Sequence, residues 1–303
     1  MTKSLGIVGA RGHVGKELAA LLERHGGLDV RLAVSQRDGK TAAEVAETAL
    51  DAYVLALPNG AAAPYVDAIA RVRPDAVIVD LSADHRFDDG WVYGQPERLR
   101  ARIVGATRIA NPGCYATAMQ LALWPLLDVL DGPPHVFGVS GYSGAGTTPS
   151  PKNDPEVLRD NLLPYSLVEH VHEREVARQL GIVLHFAPHV ASFFRGITVT
   201  VSFALKGDAH RGVDPASLAE RYAKAYADEP LVHVSADAPL VRDVSGKHDV
   251  FIGGLTLSRD GRRGAVVATI DNLLGGAASQ ALRNLNLALG FPERQGLSPD
   301  ASP

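Results

Sequence analysis

Cysteine is almost absent from this sequence of 303 residues, which contains a single one, Cys114. One cysteine excludes an intramolecular disulfide and any zinc or iron–sulfur site built on several thiolates. An HExxH pattern and a carboxylate cluster are also missing, and His170-Val171-His172 alone is too small a ligand set. We therefore expect no metal site.

Long apolar runs and blocks of like charge are missing as well. No apolar run reaches 18 residues, which argues against a transmembrane helix. The short apolar stretch near the N-terminus is interrupted at Arg11, unlike a signal peptide. The net charge of −4 includes no block of five like charges, so neither nucleic acid nor a membrane surface is an expected partner. With 46% hydrophobic residues, we expect a soluble, folded, cytosolic protein.

The pattern of predicted elements changes once along the chain. Up to about residue 130, short apolar strands alternate with helical patterns, as in βαβ units of a parallel, doubly wound sheet. Later segments resemble strands of an α+β region, and few helices interrupt them. We predict an α/β fold with two domains. The first is a Rossmann dinucleotide-binding domain of residues 1–114 and 277–303. The second, residues 115–276, is an α+β catalytic and dimerisation domain with a mostly antiparallel sheet.

Three glycines follow the first predicted strand, where a helical pattern begins. Glycines in this position let the backbone approach a pyrophosphate, whose charge then lies at the helix N-terminus. A glycine-rich turn that binds no nucleotide is the alternative. The predicted cofactor contacts in this loop are Gly9, Arg11, Gly12, His13 and Val14.

The end of the second predicted strand indicates which dinucleotide is bound. An acid there would bind the ribose 2′-hydroxyl, whereas arginine and small hydroxyl groups accept a 2′-phosphate. The segment Val34-Ser35-Gln36-Arg37 contains no acid. It therefore favours NADP, with Ser35 and Arg37 as the expected contacts, although a solvated surface turn would have the same composition.

The segment around Cys114 is the most informative part of the chain. Asn111-Pro112-Gly113 is a turn signal, and an apolar helical pattern follows it. Cys114 is thus expected at a helix N-terminus, where the helix dipole and free amides favour a thiolate. A buried, unreactive cysteine is the alternative interpretation.

The run Asn-Pro-Gly-Cys-Tyr-Ala-Thr at 111–117 resembles the active-site signature of N-acetyl-gamma-glutamyl-phosphate reductases, NADP-dependent enzymes of arginine biosynthesis. Further matching segments extend the resemblance from Gly6 to Phe291. They are Leu57–Gly60, Asp80–Arg86, Tyr93–Glu97, Ser140–Gly146, Phe186–His189 with Arg195-Gly196, and Asp271-Asn272-Leu273. Two segments depart from the family pattern: Arg11 and His13 stand in the glycine loop, and Gly275-Gly276 replaces a Lys-Gly pair.

The resemblance implies a reaction and assigns roles to residues. Cys114 would attack an acyl phosphate, and NADPH would reduce the resulting thioester to a semialdehyde. His172 is the favoured acid/base, because His170-Val171-His172 stands where the family has His-Arg-His; His170 is second and His189 third. A homo-oligomer, dimer or tetramer, is expected.

The remaining candidates concern the substrate and the C-terminal part of the cofactor site. Arg86 and Arg195 could hold a carboxylate or phosphate by bidentate hydrogen bonds. The expected substrate contacts are Arg86, Ser143, Gly144, His189 and Arg195, and Asn272 is an expected cofactor contact.

Two alternatives for the function stay open. One is a related enzyme acting on an aspartyl or aminoadipate derivative, and the other is an NADP(H)-binding regulator without activity.

Overall fold

The computed structural model describes residues 2–207 and 214–297, and the chain divides into two compact units. The first unit runs to Gly113 and resumes at Ala277, and the second is Cys114–Gly276. Met1 and residues 298–303, which belong to the predicted first domain, lie outside the described residues. Within the described part of the chain, no helix is long and apolar enough to span a membrane.

A parallel sheet of six strands forms the centre of the first unit, in the order β2-β1-β3-β4-β6-β5. β3 and β4 are buried at every position, because helices cover both faces of such a sheet. The strand order reverses between β1 and β3, and ligands of open α/β sheets bind at such switch points. The strands are β1 (Lys3–Val8), β2 (Leu28–Val34), β3 (Ala52–Leu55), β4 (Val77–Asp80), β5 (Val92–Tyr93) and β6 (Arg108–Ala110). The helices are α1 (His13–Leu22), α2 (Ala42–Ala46), α3 (Ala63–Val72), α4 (Pro96–Ile103) and the C-terminal α10 (Ser279–Leu289).

A mixed sheet of seven strands forms the second unit, in the order β11-β12-β13-β10-β7-β9-β8. Two of its six pairings, β11 with β12 and β7 with β9, are parallel, and the others are antiparallel. The predicted fold class, a Rossmann unit with a mostly antiparallel second sheet, is confirmed. The strands are β7 (His135–Gly141), β8 (Leu163–Pro164), β9 (His185–Ala191), β10 (Ile197–Ala204), β11 (Val232–Val234), β12 (Val250–Leu257) and β13 (Arg263–Ile270). The helices are α5 (Cys114–Leu123), α6 (Pro155–Leu158), α7 (Val171–Leu180), α8 (Pro215–Ala225) and α9 (Val241–Val244).

Helix α5 lies at the centre of the second hydrophobic core. Every residue from Tyr115 to Leu123 is buried, and the helix packs on β10, β13 and α7. A helix that is largely apolar on every side is typical of a buried core helix, and α5 is surrounded by the core from Tyr115 onward. Cys114 is its first residue.

The other face of the second sheet is partly exposed. In β10, Ile197, Val199 and Val201 are buried, while the alternating residues are partly exposed. Phe137, on the neighbouring strand β7, leaves 44% of its surface exposed on that outer face. We refer to this surface, which includes His135, Phe137, His185, His189, Thr200 and Val267, as the open sheet face.

Candidate active site

The glycine loop of the first unit is shaped for a close approach of backbone or ligand. Gly9 has a φ of 95°, and a Cβ atom there would lie 2.0 Å from the carbonyl oxygen of Ala56. A Cβ at Gly15 would lie 2.4 Å from the oxygen of Gly9. Gly12 is the N-cap of α1 and has no side chain to bind the first amides of the helix. The loop therefore fits a pyrophosphate held by backbone amides.

An acid stands at the tip of β2, so the prediction that this tip lacks one is wrong. The 3-10 turn Gln36–Asp38 folds the carboxylate of Asp38 back toward the strand end. Ser35 donates from its amide and its hydroxyl to Oδ2 of Asp38, at 2.7 and 2.8 Å, and Arg11 donates to Oδ1 at 2.7 Å. The bonds from Ser35 lower the pKa of Asp38, which is thus held as an anion. Asp38 is the residue directly after Arg37, and the turn returns it to the end of the strand.

In the second unit, Cys114 is the first residue of α5, at the end of the helix that carries its free amides. Gly276, in the π-turn Leu274–Ala278, packs against it: a Cβ on Gly276 would lie 2.7 Å from Cβ of Cys114. That distance is shorter than carbon–carbon van der Waals contact. Only glycine therefore allows this turn to lie against the cysteine. Gly276 matches the glycine of the family's Lys-Gly pair, and the departure is at Gly275.

Two histidines stand at the start of α7. His170 is the N-cap, and its Nδ1 accepts the amide N–H of His172 at 3.1 Å. Burial, followed by the charges of Lys152 and Arg174, lowers the pKa of His170 to about 4. His170 is therefore neutral near pH 7, with its Nδ1 used in the cap. His172 lies in the first turn, with its ring 6.0 Å from that of Tyr115.

Tyr165 and Lys152 were not identified from the sequence, yet both join this group. The Tyr165 ring lies 5.5 Å from the His170 ring, and Nζ of Lys152 lies 5.0 Å from the centre of the Tyr165 ring. Burial, followed by the charge of Cys114, raises the pKa of Tyr165, so its hydroxyl stays protonated. The sequence signal for Tyr165 was its position, five residues before His170. No sequence signal marked Lys152.

His189, in contrast, is placed away from this group. Along β9, Phe186 joins the core that contains Tyr115, whereas His189 projects to the open sheet face. Its ring lies 4.6 Å from Phe137 there, and only its backbone oxygen meets Tyr115, whose hydroxyl donates to it at 2.8 Å. The structure does not bring the His189 side chain together with Cys114.

Arg86 is buried in the first unit and binds backbone oxygens. It donates to the oxygen of Asn111 at 2.9 Å and to that of Leu81 at 2.8 Å. Asn284 also donates to the side chain of Asn111 at 2.9 Å. These contacts anchor the chain three residues before Cys114. They give Arg86 a structural role that the sequence interpretation, a substrate contact, did not foresee.

Arg195 binds a protein carboxylate in the geometry expected for a substrate. Its Nε and Nη2 donate to the two oxygens of Asp271 at 2.6 and 3.0 Å, and Asp271 is fully buried. The same carboxylate accepts the amides of Leu273 and Leu274, at the start of the π-turn that reaches Cys114. Arg195 therefore helps to order this turn, and the geometry does not favour its predicted contact with substrate.

The Ser140–Gly146 loop is tied to the same region. Asn272 donates to Oγ of Ser143 at 2.9 Å and accepts the amide of Gly196 at 2.7 Å. A Cβ on Gly144 would lie 3.1 Å from Oγ of Ser140. The side chain of Asn272 is thus used within the second unit, which does not favour its predicted contact with the cofactor.

Known proteins similar to this chain identify its family. The family model for the NAD binding domain of semialdehyde dehydrogenases matches residues 4–106, and that for their dimerisation domain matches residues 114–272. An N-acetyl-gamma-glutamyl-phosphate reductase of Stenotrophomonas maltophilia is 53% identical over 96% of this chain and 97% of its own length. One of Xylella fastidiosa is 48% identical over 100% and 97%. The chain belongs to the N-acetyl-gamma-glutamyl-phosphate reductase family.

Solved structures agree with this membership at the level of the fold. Aspartate semialdehyde dehydrogenase II of Vibrio cholerae superposes with a TM-score of 0.75 at 18% identity, over 96% of this chain and 99% of that one. The enzyme of Candida albicans, solved with NADP, superposes with a TM-score of 0.69 at 15% identity, over 95% and 98%. The family expected from the Asn-Pro-Gly-Cys-Tyr-Ala-Thr run is confirmed, and with it an oxidoreductase of the semialdehyde dehydrogenase type.

Proposed function

We propose that this member of the reductase family reduces N-acetyl-L-glutamyl 5-phosphate with NADPH to N-acetyl-L-glutamate 5-semialdehyde and phosphate, in arginine biosynthesis. The observation that carries the proposal is Cys114 at the first residue of a buried helix, grouped with Tyr165, His170 and His172. The names of relatives 48–53% identical over nearly the whole chain support the choice of substrate. In this proposal the first unit holds the dinucleotide and the second carries the catalytic groups.

The nucleophile is the thiolate of Cys114. Its sulfur forms a bond to the acyl carbon while the bond from that carbon to the phosphate oxygen breaks, which yields a thioester and inorganic phosphate. The amides at the start of α5 stabilise both the thiolate and the oxyanion that precedes loss of phosphate. Lys152 is the cation that we assign to the substrate phosphate, because Arg86 and Arg195 bind protein groups.

Proton transfer is assigned to His172. It gives a proton to the oxygen of the reduced thioester and takes it back when the carbon–sulfur bond breaks to release the aldehyde. His170 is a positioning residue in this scheme, because its Nδ1 holds the amide of His172 and its low pKa leaves it without a proton to give.

The glycine loop fits the cofactor expected in this family. NADPH, when bound, supplies the hydride that reduces the thioester. Gly9 and Gly12 shape the loop, and the first amides of α1, at His13 and Val14, would hold the pyrophosphate. Ser35 and Arg37 stand at the end of β2, where the adenosine ribose is bound in such folds.

The reverse reaction tests the proposed substrate. We expect phosphate-dependent reduction of NADP⁺ with the highest kcat/KM for N-acetylglutamate semialdehyde, and no reduction when phosphate is omitted, because phosphate must release the acyl group from Cys114. Aspartate semialdehyde and an N-acetylated aminoadipate semialdehyde are the competing substrates. A higher kcat/KM for either would contradict the proposed substrate while retaining the chemistry.

We further propose that the protein is a homodimer in which a second copy covers the open sheet face. The matching dimerisation domain and the exposure of Phe137 support this assignment. Burying a charge in such a surface without a partner is costly. Phe137→Glu should therefore give monomers in light-scattering measurements, whereas Val183→Glu, at an exposed site before β9, should remain dimeric. A dimeric Phe137→Glu protein would refute this interface.

A further inference from the structure

Three hydrogen-bond donors converge on one carboxylate at the end of β2. The amide and hydroxyl of Ser35 donate to one oxygen of Asp38, and the guanidinium of Arg11 donates to the other. Two of the three donors therefore come from the turn after β2, and the third comes from the glycine loop. Together they form a small anion-binding group, and the anion is supplied by the chain itself.

The location of this group indicates which part of a bound dinucleotide it would contact. The amides of Gly9 and Ala10 donate to the oxygen of Val34, at 2.7 and 3.0 Å, so the glycine loop is tied to the end of β2. In a Rossmann fold, the residues at this strand end face the 2′ position of the adenosine ribose. A 2′-phosphate that reached this position would require donors such as those that Asp38 already occupies.

We propose that Asp38 acts as an internal competitor of the 2′-phosphate and so limits the preference of this chain for NADPH over NADH. The inference rests on the proposed function, because it concerns the cofactor of that reaction. A carboxylate repels a phosphate dianion at short range, whereas it can accept the free 2′-hydroxyl of NADH. NADPH therefore binds only by drawing Ser35 and Arg11 away from Asp38.

Asp38 also stabilises the turn by capping it, and the substitution must separate the two roles. Asp38→Asn removes the charge and keeps a side-chain oxygen that can accept from Ser35. Asp38→Ser is the second variant, because serine is also favoured in turns. The matched control is Asp29→Asn. Asp29 is another exposed acid and lies near the opposite end of β2, where its carboxylate pairs with Arg31 at 2.5 Å.

The experiment is an equilibrium titration of each purified full-length protein with NADPH and with NADH, followed by nucleotide fluorescence. We expect Asp38→Asn and Asp38→Ser to lower the Kd for NADPH by about three- to tenfold, with NADH unchanged or weaker. The change should be larger at low ionic strength, because salt screens exposed charges. Asp29→Asn should match the wild type.

Arg11 provides a second measurement of the same competition. If Asp38 holds Arg11 away from the phosphate, Arg11→Ala should raise the Kd for NADPH more in the Asp38→Asn background than in the wild type. A ratio of NADPH to NADH affinities that is unchanged or lower in both Asp38 variants overturns the inference and leaves the proposed function intact. Failure of every protein to bind either dinucleotide would overturn the proposed function and this inference with it.

Discussion

Helices α1 and α5 begin in similar ways and differ in what surrounds them. Each follows a glycine, Gly12 or Gly113, and each directs its first amides to a candidate site. α1 buries one side, through Gly15, Leu18, Leu21 and Leu22, whereas α5 is buried at nine consecutive positions. A half-exposed helix start can receive a diffusing anion, and a start fixed in the core can hold a nucleophile in one position. The same local device thus serves binding in one unit and chemistry in the other.

The most severe test of this contrast is loss of the thiol. Cys114→Ser should lose nearly all turnover and still bind NADPH, because the dinucleotide contacts are in the first unit. Since Cys114 is the only cysteine, iodoacetamide should label the wild type once per chain with loss of activity, and substrate should protect it. Mass spectrometry of Cys114→Ser, which should show no label, is the control. Activity of about a tenth in this variant would contradict a covalent mechanism, and an inert wild-type thiol would favour a regulator.

Histidine substitutions test the assignment at the start of α7. His172→Asn should lower kcat by about a hundredfold or more with little change in KM, because a general acid/base contributes about 10² to 10⁴ in rate. It should also remove one titration from the pH–rate profile. His189→Asn is the matched control, since that ring lies on the open sheet face. A large rate loss in His189→Asn together with an active His172→Asn would reverse the assignment.

A methyl group at Gly276 tests whether the position of Cys114 is critical. In Gly276→Ala the new carbon would lie 2.7 Å from Cβ of Cys114, so the turn or the helix start must move. Displacements of this kind cost about ten- to a hundredfold in kcat, and alkylation of Cys114 should also slow. Gly207→Ala, where an added Cβ meets no atom within 4 Å, should behave as wild type. Unchanged alkylation and kcat in Gly276→Ala would show that this contact does not position the thiol.

Arg37 tests the corresponding contact in the first unit. Losing a charge-assisted hydrogen bond of about 1.5–3 kcal/mol should weaken NADPH binding roughly ten- to a hundredfold in Arg37→Ala. The Kd for NADH should stay nearly constant, because NADH has no 2′-phosphate. Arg31→Ala, an exposed arginine in the middle of β2, provides the control. Equal losses for both dinucleotides would show that Arg37 does not discriminate between them.

The smallest expected effect concerns the pH dependence of stability at His170. An unfolded histidine takes up a proton below about pH 6.5, whereas folded His170 does so only at about pH 4. Between these two values the unfolded state binds more protons than the folded state. The contribution of His170 to the free energy of unfolding therefore falls as the pH decreases from 6.5 to 4. Asparagine also caps helices but does not titrate, so His170→Asn keeps a cap and loses this pH dependence. Its urea midpoint should drop less between pH 7 and pH 4.5 than that of the wild type. An equal drop in the wild type and in His170→Asn would exclude this contribution. His185→Asn, at an exposed histidine, is the control and should behave as the wild type.

Local sequence determined those features that depend on neighbouring residues alone. Gly9, Gly12 and Gly15 indicated a tight loop between a strand and a helix, and the turn Asn111-Pro112-Gly113 placed Cys114 at a helix start. Continuous apolar strands in one half and alternating strands in the other indicated the two kinds of sheet. The family also followed from a short run around Cys114. In each case the signal is carried by a few consecutive residues, so no distant partner was needed to interpret it.

Only the tertiary structure decided which partner each charged or polar side chain took. Arg195 binds Asp271, 76 positions away, and Arg86 donates to the backbone oxygen of Asn111. His189 was turned to the open sheet face by its register in β9, although its sequence position suggested a place near the thiol. Asp38 was returned to the end of β2 by a single turn. Hydrogen bonds and ion pairs act over a few ångströms in space, and separation along the chain does not reveal which groups folding brings that close.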